Sequence, residues 1–257
     1  MTDEEITVEL LTEFYRKYGI SYKVHDHIGL QLTRYFNFRL KFLPIRPRAV
    51  RISGELSAKL HQHPHQDALY DIIRRTGNGV DINPYQSKES FNADYHDGLF
   101  NDWGIHHLHL RSVKENPADY FHTRTGPLLF ARFTDTTAYF LDVKGHQDKN
   151  VWSDRELIGI IVRNWPDSIA YAKHPTIFYP DLDDAQIGKL RKHGHLFGIN
   201  VDGVGYLLLG HGQASSGDNM MAGRMANAVW YWVGQQQDLL ASNPAGFRQE
   251  LKNKLGL

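Results

Sequence analysis

Hydrophobic residues recur every four positions near the start of the chain, at Ile6, Leu10, Phe14 and Tyr18. This spacing predicts an amphipathic helix over residues 3–19. A second helix is predicted from about Asp26 to Leu43, because Pro44 and Pro47 then favour extended backbone. Apolar runs that follow a capping residue predict further helices after Ser53, over residues 153–164 with Ser153 as N-cap, from Asp181 or Asp183 to Arg191, and from Asp218 to about Leu239.

Three segments in the middle of the chain alternate between apolar and polar residues, at 105–111, 128–133 and 138–146. Alternation with a period of two predicts β-strands, and the short connection between the last two predicts a hairpin. A second hairpin is predicted around Asp202 and Gly203. The stretch 80–99 is polar and rich in turn residues, which predicts a long surface loop.

Together these elements predict an α+β protein with one central antiparallel sheet. We expect a helical N-terminal region over residues 1–79, the sheet domain over residues 80–175, and a C-terminal α-β-β-α extension over residues 176–257. The start of the chain is acidic and amphipathic and lacks a basic segment before an apolar core, so no secretory signal is predicted. A cytoplasmic location and no membrane partner are therefore expected.

Composition narrows the chemistry. The 29 Lys and Arg residues balance the 29 Asp and Glu residues, so the overall charge points to no particular partner. The absence of cysteine excludes disulfides, thiolate nucleophiles and cysteine-based metal sites. The 15 histidines are the unusual feature, because imidazole titrates near neutral pH and also binds metals.

Many polar residues of the predicted strands share one face. Side chains alternate along a strand, so the leucines of segment 105–111 are expected to lie toward the core. His107, His109 and Arg111 then lie in one row on the opposite face. The same test on the other two strands adds further polar side chains to that row. If the three strands pair in one antiparallel sheet, its open, water-accessible face displays His107, His109, Arg111, Arg132, Asp142, Lys144 and His146.

Histidines among cations suit phosphodiester cleavage that needs no metal or other cofactor. One imidazole takes the proton from a ribose 2′-hydroxyl, a second protonates the leaving 5′-oxygen, and guanidinium groups neutralise the charge on the phosphorane. We expect His109 as general base and His146 as general acid, with His107 in reserve for either role. Arg111 and Arg132 are expected to hold the phosphate of an RNA substrate.

The segment carrying these residues resembles a known family. The run HLHLRS, a variable insert, and then GPLLFARFTDTTAYFLDVKGHQDKNVWSDREL look like the core of toxin-type ribonucleases of the barnase, RelE and colicin superfamily, over about residues 103–157. The resemblance implies an endoribonuclease toxin, with a protein inhibitor as a partner of the toxin–antitoxin kind. It matches Arg111 and Arg132 to the basic residues of the first two strands and His146 to the terminal catalytic position.

A basic, aromatic-rich block precedes the strands. Residues 31–51 contain six cations and no acid, interleaved with aromatic residues. One interpretation is a groove for phosphates and stacked bases; the other is an amphipathic helix with a solvated cationic face. On the first interpretation, the residues expected to bind RNA are Arg39, Lys41, Arg46 and Arg48 of this block, Lys144 of the last strand, and Tyr95 of the loop, which would stack a base.

Two other functions use the same surface. His107 and His109 form a His-X-His pair on a strand, which with Asp142 or His146 can bind zinc, iron or manganese in a metal-dependent hydrolase. The neighbouring cations would repel such an ion. The non-catalytic alternative is an interaction module or a homo-oligomer, in which the histidines line a solvated face or an interface and the turn 101–104 contacts another protein.

Overall fold

The computed structural model describes residues 2–23, 27–111, 113–207 and 209–257, and it is α+β as predicted. Its α-helices are α1 (Asp3–Tyr18), α2 (Ile28–Lys41), α3 (Gly54–Leu60), α4 (Gln66–Asn78), α5 (Gly98–Trp103), α6 (Glu156–Asn164), α7 (Asp184–Lys192), α8 (Met220–Gln235), α9 (Gln237–Ser242) and α10 (Pro244–Leu255). Its strands are β1 (Ala49–Ile52), β2 (Ile105–His109), β3 (Pro127–Phe133), β4 (Thr137–Gly145), β5 (Lys173–His174), β6 (Ile199–Val201) and β7 (Val204–Tyr206). Short 3₁₀ helices lie at Asn83–Tyr85, Lys88–Phe91, Val151–Ser153 and Pro166–Ala172.

The chain forms two compact units that do not follow the three consecutive regions expected from the sequence. The first unit contains Met1–Lys41, Glu89–His96 and Asp218–Leu257; the second contains Phe42–Lys88 and Asp97–Gly217. Residues 42–79, expected in a helical N-terminal region, therefore belong with the sheet, and α8, expected in the C-terminal extension, belongs with α1 and α2.

In the first unit, sequence signals at the helix ends account for the helix boundaries. Thr2 and Glu5 form a capping box at the start of α1, and Gly19 ends that helix in the left-handed conformation (φ 64°). The buried Tyr35 of α2 donates a hydrogen bond from its hydroxyl to the carbonyl of Leu255, at 2.7 Å. The predicted start of the second helix at Asp26 lies outside the described residues.

The four-stranded sheet of the second unit has the order β1-β4-β3-β2. Strands β2, β3 and β4 pair antiparallel as predicted, but β1 adds a parallel strand beside β4, so the sheet is mixed. The sequence predicted only an extended segment here, because a strand of four largely exposed residues gives a weak signal in the sequence. The first strand ends at His109, so Arg111 lies beyond it, and Ser112, at the end of the run HLHLRS, lies outside the described residues.

Both faces of this sheet are buried, so the prediction of an open polar face is wrong. Leu108, Leu129 and Phe140 pack on one face with residues of α3 and α4. On the other face, Leu128 and Phe130 pack with the apolar side of α6. The reason is that large apolar residues stand between the polar ones of the predicted row, and their burial stabilises a helix against that face.

The remaining part of the second unit confirms some helix signals and corrects others. Asp183 and Gln186 form a capping box at the start of α7, and Asp202 and Gly203, both with positive φ, make the turn of the β6–β7 hairpin. Ser153 does not cap α6, which begins at Glu156; its hydroxyl instead donates to the carbonyl of Asn150. The second strand of this hairpin ends at Tyr206, and Leu208 lies outside the described residues.

The segment 80–99 is not the exposed loop that was predicted. It contains two 3₁₀ helices and the start of α5, and several of its side chains are buried, including Ile82, Tyr85 and Leu99. Within the described parts of the chain, no helix combines the length and the apolar character needed to cross a bilayer.

Candidate active site

His107 lies in the middle of β2, directly opposite Phe130 of β3. Its Nδ1 is 3.5 Å from Oδ2 of Asp97, the residue that caps α5. Its ring meets the indole of Trp152 edge-on, with the centroids 4.9 Å apart. The side chain is only 11% exposed, so this imidazole is held at the border between the core and water by a carboxylate and an aromatic ring.

His146 approaches the same tryptophan from the end of β4. Its backbone N–H donates to the carbonyl of Gly126 at 2.7 Å, which fixes the start of the turn after the strand. Its ring centroid is 5.2 Å from that of Trp152, again edge-on, and the residue is exposed to water. A buried and an exposed imidazole therefore both contact one indole.

His109 is less accessible than the sequence suggested. It lies opposite Leu128, is 4% exposed, and its Nδ1 accepts a hydrogen bond from the backbone N–H of Thr125 at 3.1 Å. Burial, with smaller effects from His107, lowers the pKa of His109 to about 4. The His109 ring is neutral near pH 7, but its Nδ1 is hydrogen-bonded to the backbone and the residue is buried, whereas His146 is exposed to water.

Electrostatic coupling links the three histidines. Burial lowers the pKa of His107; the charge of Asp97 raises it in part, and His146 lowers it further. His146 also lowers the pKa of His109, as does the exposed Arg124. The structure thus brings together three of the predicted catalytic residues.

A β-bulge brings the two charged residues of β4 onto the same side as the histidines. The pairing between β3 and β4 shifts between Phe130 and Ala131, so that Asp142 lies opposite Phe130 and Lys144 lies opposite Leu128. Lys144 donates to Asp154, with Nζ 2.7 Å from Oδ2. Burial opposes the charged form of Lys144, but Asp154 outweighs it and raises the pKa of the amine.

Asp142 does not complete a metal site with the His-X-His pair. Both of its carboxylate oxygens bind Nζ of Lys59, at 2.8 and 2.9 Å. In the described residues, no group of three or more histidines and acidic side chains is placed to hold a metal ion. The predicted set of His107, His109 and Asp142 is therefore not assembled as ligands.

The two predicted phosphate-binding arginines lie apart from each other. Arg111 is exposed and follows the end of β2. Arg132 is buried near the other end of β3, opposite Ile105 and Tyr139, and its Nη2 donates to the hydroxyl of Tyr171 at 3.2 Å. Arg132 therefore does not share a position with His146.

The basic block is divided between the two units. Arg39 and Lys41 belong to the first unit, and Arg46 and Arg48 to the second. Lys41 is buried, and its Nζ donates to two backbone carbonyls, including that of Tyr95 at 3.0 Å. The Lys41 Nζ also lies over the Tyr95 ring, 5.4 Å from its centre. The sequence predicted that this ring stacks on a base of the RNA.

The other two cations of the block also have protein partners. Arg48 is buried, with Nε donating to the carbonyl of Thr134 at 2.8 Å and Nη1 to that of Pro44 at 3.1 Å. Arg46 pairs with Asp135 on the surface, at 3.2 Å. Neither a phosphate groove nor a solvated cationic face describes Lys41 and Arg48, because both are buried and donate to backbone carbonyls inside the protein.

Sequence reasoning missed three residues that build the site. Asp97 lies in the segment predicted as a polar loop, Trp152 in the run that resembles the ribonucleases, and Thr125 in the variable insert before it. Each acts through a contact with a residue distant in the chain, so spacing alone carries no signal for it. The one usable signal is the position of Asp97 directly before α5, where an aspartate caps a helix.

The chain matches no known protein family, and comparison with curated proteins and with solved structures also finds no match. The resemblance to toxin-type ribonucleases stays a prediction.

Proposed function

We propose that this protein is a metal-independent endoribonuclease whose proton-transfer pair is His107 and His146. The observation that carries the proposal is their shared contact with Trp152, in which one imidazole is partly buried beside a carboxylate and the other is exposed. Acid and base roles are assigned where neighbouring titratable groups experience different environments. This pair meets that condition.

His107 suits the general base. Burial lowers its pKa, which keeps the ring neutral and able to accept a proton near pH 7. Asp97 faces Nδ1, so a proton on that nitrogen is stabilised and Nε2 is left as the acceptor. His146 suits the general acid, because an exposed ring exchanges protons with water and is reprotonated after each turnover.

Two exposed cations of the same unit can meet charge on the substrate. Arg124 lies close enough to His109 to lower its pKa, and it is exposed on the segment that also supplies Thr125. Arg111 is exposed just beyond β2. These two exposed guanidinium groups are the candidates to stabilise the charge that develops on the phosphorane.

The test is cleavage of a labelled single-stranded RNA by the full chain in excess EDTA. We expect 2′,3′-cyclic phosphate ends, no cleavage of the same sequence as DNA, and a loss of about 10²–10⁴-fold in rate for either His107→Gln or His146→Gln. His61→Gln is the matched control, because His61 is exposed and lies away from the candidate pair in the sequence. Its Nδ1 is hydrogen-bonded to the hydroxyl of Tyr70, with the two atoms 2.7 Å apart.

Three results would contradict the proposal. One is the absence of cleavage by the folded wild-type chain. Another is activity that appears only with added metal. The third is an equal rate for the His146→Gln and His61→Gln variants, which would identify the nuclease as a contaminant or place the site elsewhere.

A further inference from the structure

Arg132 is a buried cation whose hydrogen bonds are incomplete. The residue is 8% exposed, and its Nη2 donates to the hydroxyl of Tyr171. Its Nη1 is buried and has no hydrogen-bond partner. No carboxylate among the described residues forms an ion pair with it, in contrast to the buried Arg191 of the same unit, which binds Asp102 at 2.5 Å.

The buried Nη1 of Arg132 needs a hydrogen-bond acceptor. A guanidinium group stays protonated in proteins, so burial cannot be relieved by loss of its charge. Buried charges are normally paired, and an unmade hydrogen bond of a charged group is costly. The rings of Tyr139 and Tyr171 lie 5.9 and 6.0 Å from the guanidinium carbon of Arg132. Such rings stabilise the charge, but they do not accept from its N–H donors as an oxyanion does.

Tyr171 lies beside Arg132 and is mostly exposed to water. Its hydroxyl donates to the carbonyl of Leu209 at 2.5 Å and accepts from Arg132, yet the residue is 63% exposed. It lies on the 3₁₀ helix Pro166–Ala172, whose helical geometry is broken at Ile169. Because most of the tyrosine is already in water, it can rotate away from Arg132 without opening the apolar core.

We propose that Arg132 is a receptor for a phosphate-type oxyanion, which binds its guanidinium when Tyr171 moves aside. The oxyanion can be a free phosphate ion or a phosphodiester of a nucleic acid; the fork of N–H donors recognises both. This site lies at a different end of β3 from the histidine pair, and the inference does not depend on RNA cleavage.

Binding by the full chain is measured by calorimetry and by thermal unfolding, with inorganic phosphate and with a thymidine tetranucleotide as probes, at constant ionic strength in chloride. We expect saturable binding of at least one probe by the wild type. Arg132→Lys keeps the charge but loses the fork, and we expect it to weaken binding at least tenfold. Arg46→Lys is the matched control on the surface and should bind as the wild type does.

Tyr171→Phe gives a second test that leaves Arg132 in place. It removes both hydrogen bonds that hold the Tyr171 side chain, so we expect a several-fold tighter binding of the same probe. Binding of phosphate alone identifies a free ion as the ligand, and binding of the tetranucleotide alone identifies a phosphodiester. Absence of saturable binding to both probes, or the same affinity in the wild type and in the Arg132→Lys and Tyr171→Phe variants, would overturn the proposal.

Discussion

The basic block and the histidine row of β2 are both rich in polar residues, yet the fold uses them in opposite ways. Lys41 and Arg48 of the block direct their charges at backbone carbonyls inside the protein. His107 instead has an unpartnered Nδ1 facing the carboxylate of Asp97, next to an exposed second histidine. A polar side chain whose hydrogen bonds are all satisfied within the protein supports the fold. One with an unsatisfied hydrogen-bonding atom is a better candidate for a functional residue.

The histidines differ from the basic block in that their charge depends on pH, and this gives the largest expected effect. Burial lowers the pKa of both His106 and His109 to about 4, while an unfolded histidine titrates near 6.5. The unfolded state therefore binds more protons between these values. The stabilising contribution of these two neutral histidines is therefore full above about pH 6.5 and is lost as the pH falls toward 4. Between pH 7 and pH 5 the free energy of unfolding should fall by about 2 kcal/mol per histidine.

Urea unfolding at several pH values measures this loss. In His106→Leu the ring that packs on Phe100 and Phe133 is replaced by an apolar side chain that cannot titrate, so the decrease between pH 7 and pH 5 should be smaller by about 2 kcal/mol. His61→Leu, at an exposed position, is the control. The same pH dependence in all three proteins would show that other groups cause the loss.

Arg48 tests the structural side of the comparison. Arg48→Met leaves the carbonyls of Pro44 and Thr134 without their donor, so we expect the free energy of unfolding to fall by about 2 kcal/mol. RNA cleavage by the folded variant should be unchanged. Denaturant unfolding and the cleavage assay measure the two effects, and Arg51→Met, at an exposed position, should change stability by less than about 0.5 kcal/mol.

If Arg48→Met keeps its stability and loses RNA cleavage, the basic block belongs to the substrate site and the contrast with the histidine row disappears.

Asp97 tests how the histidine site is oriented, and it has the smallest expected effect. Asp97→Asn keeps the cap of α5, because an asparagine oxygen can still accept from the N–H of Phe100. It removes the charge that raises the pKa of His107. We expect kcat/KM to fall about tenfold, or about 1.4 kcal/mol, and the acidic limb of its pH profile to move to lower pH.

Asp135→Asn is the control for a surface carboxylate of the same unit. A pH profile of Asp97→Asn that coincides with that of the wild type would show that Asp97 only caps the helix and does not position His107.

Local signals predicted much of the secondary structure. The four-residue spacing in α1, the cap at Ser53 before α3 and the alternation in β2, β3 and β4 all correspond to observed elements. Each of these depends on residues close together in the chain, and such patterns follow from helix and strand periodicity.

The candidate site was predicted less well, because its geometry depends on distant contacts. The apolar residues of the row, such as Phe130, recruit α6 and bury a face that alternation alone leaves open. The parallel strand β1 and the contact of His107 with Trp152 join segments about 45 residues or more apart, and no local pattern encodes them. Lys41 and Arg48 show the same limit, since their carbonyl partners cannot be read from a charge count.

The bulge in β4 has a consequence for how the length of this strand can vary. One extra residue at Leu141 lets Tyr139 and Asp142 project on the same side although they stand three apart, while Phe140 and Val143 share the other side. Removing Leu141 would restore strict alternation and leave the carboxylate of Asp142 and the amine of Lys144 on the side of Tyr139. Homologous chains that keep this site should therefore tolerate loss of one residue at the bulge more readily than elsewhere between Tyr139 and His146.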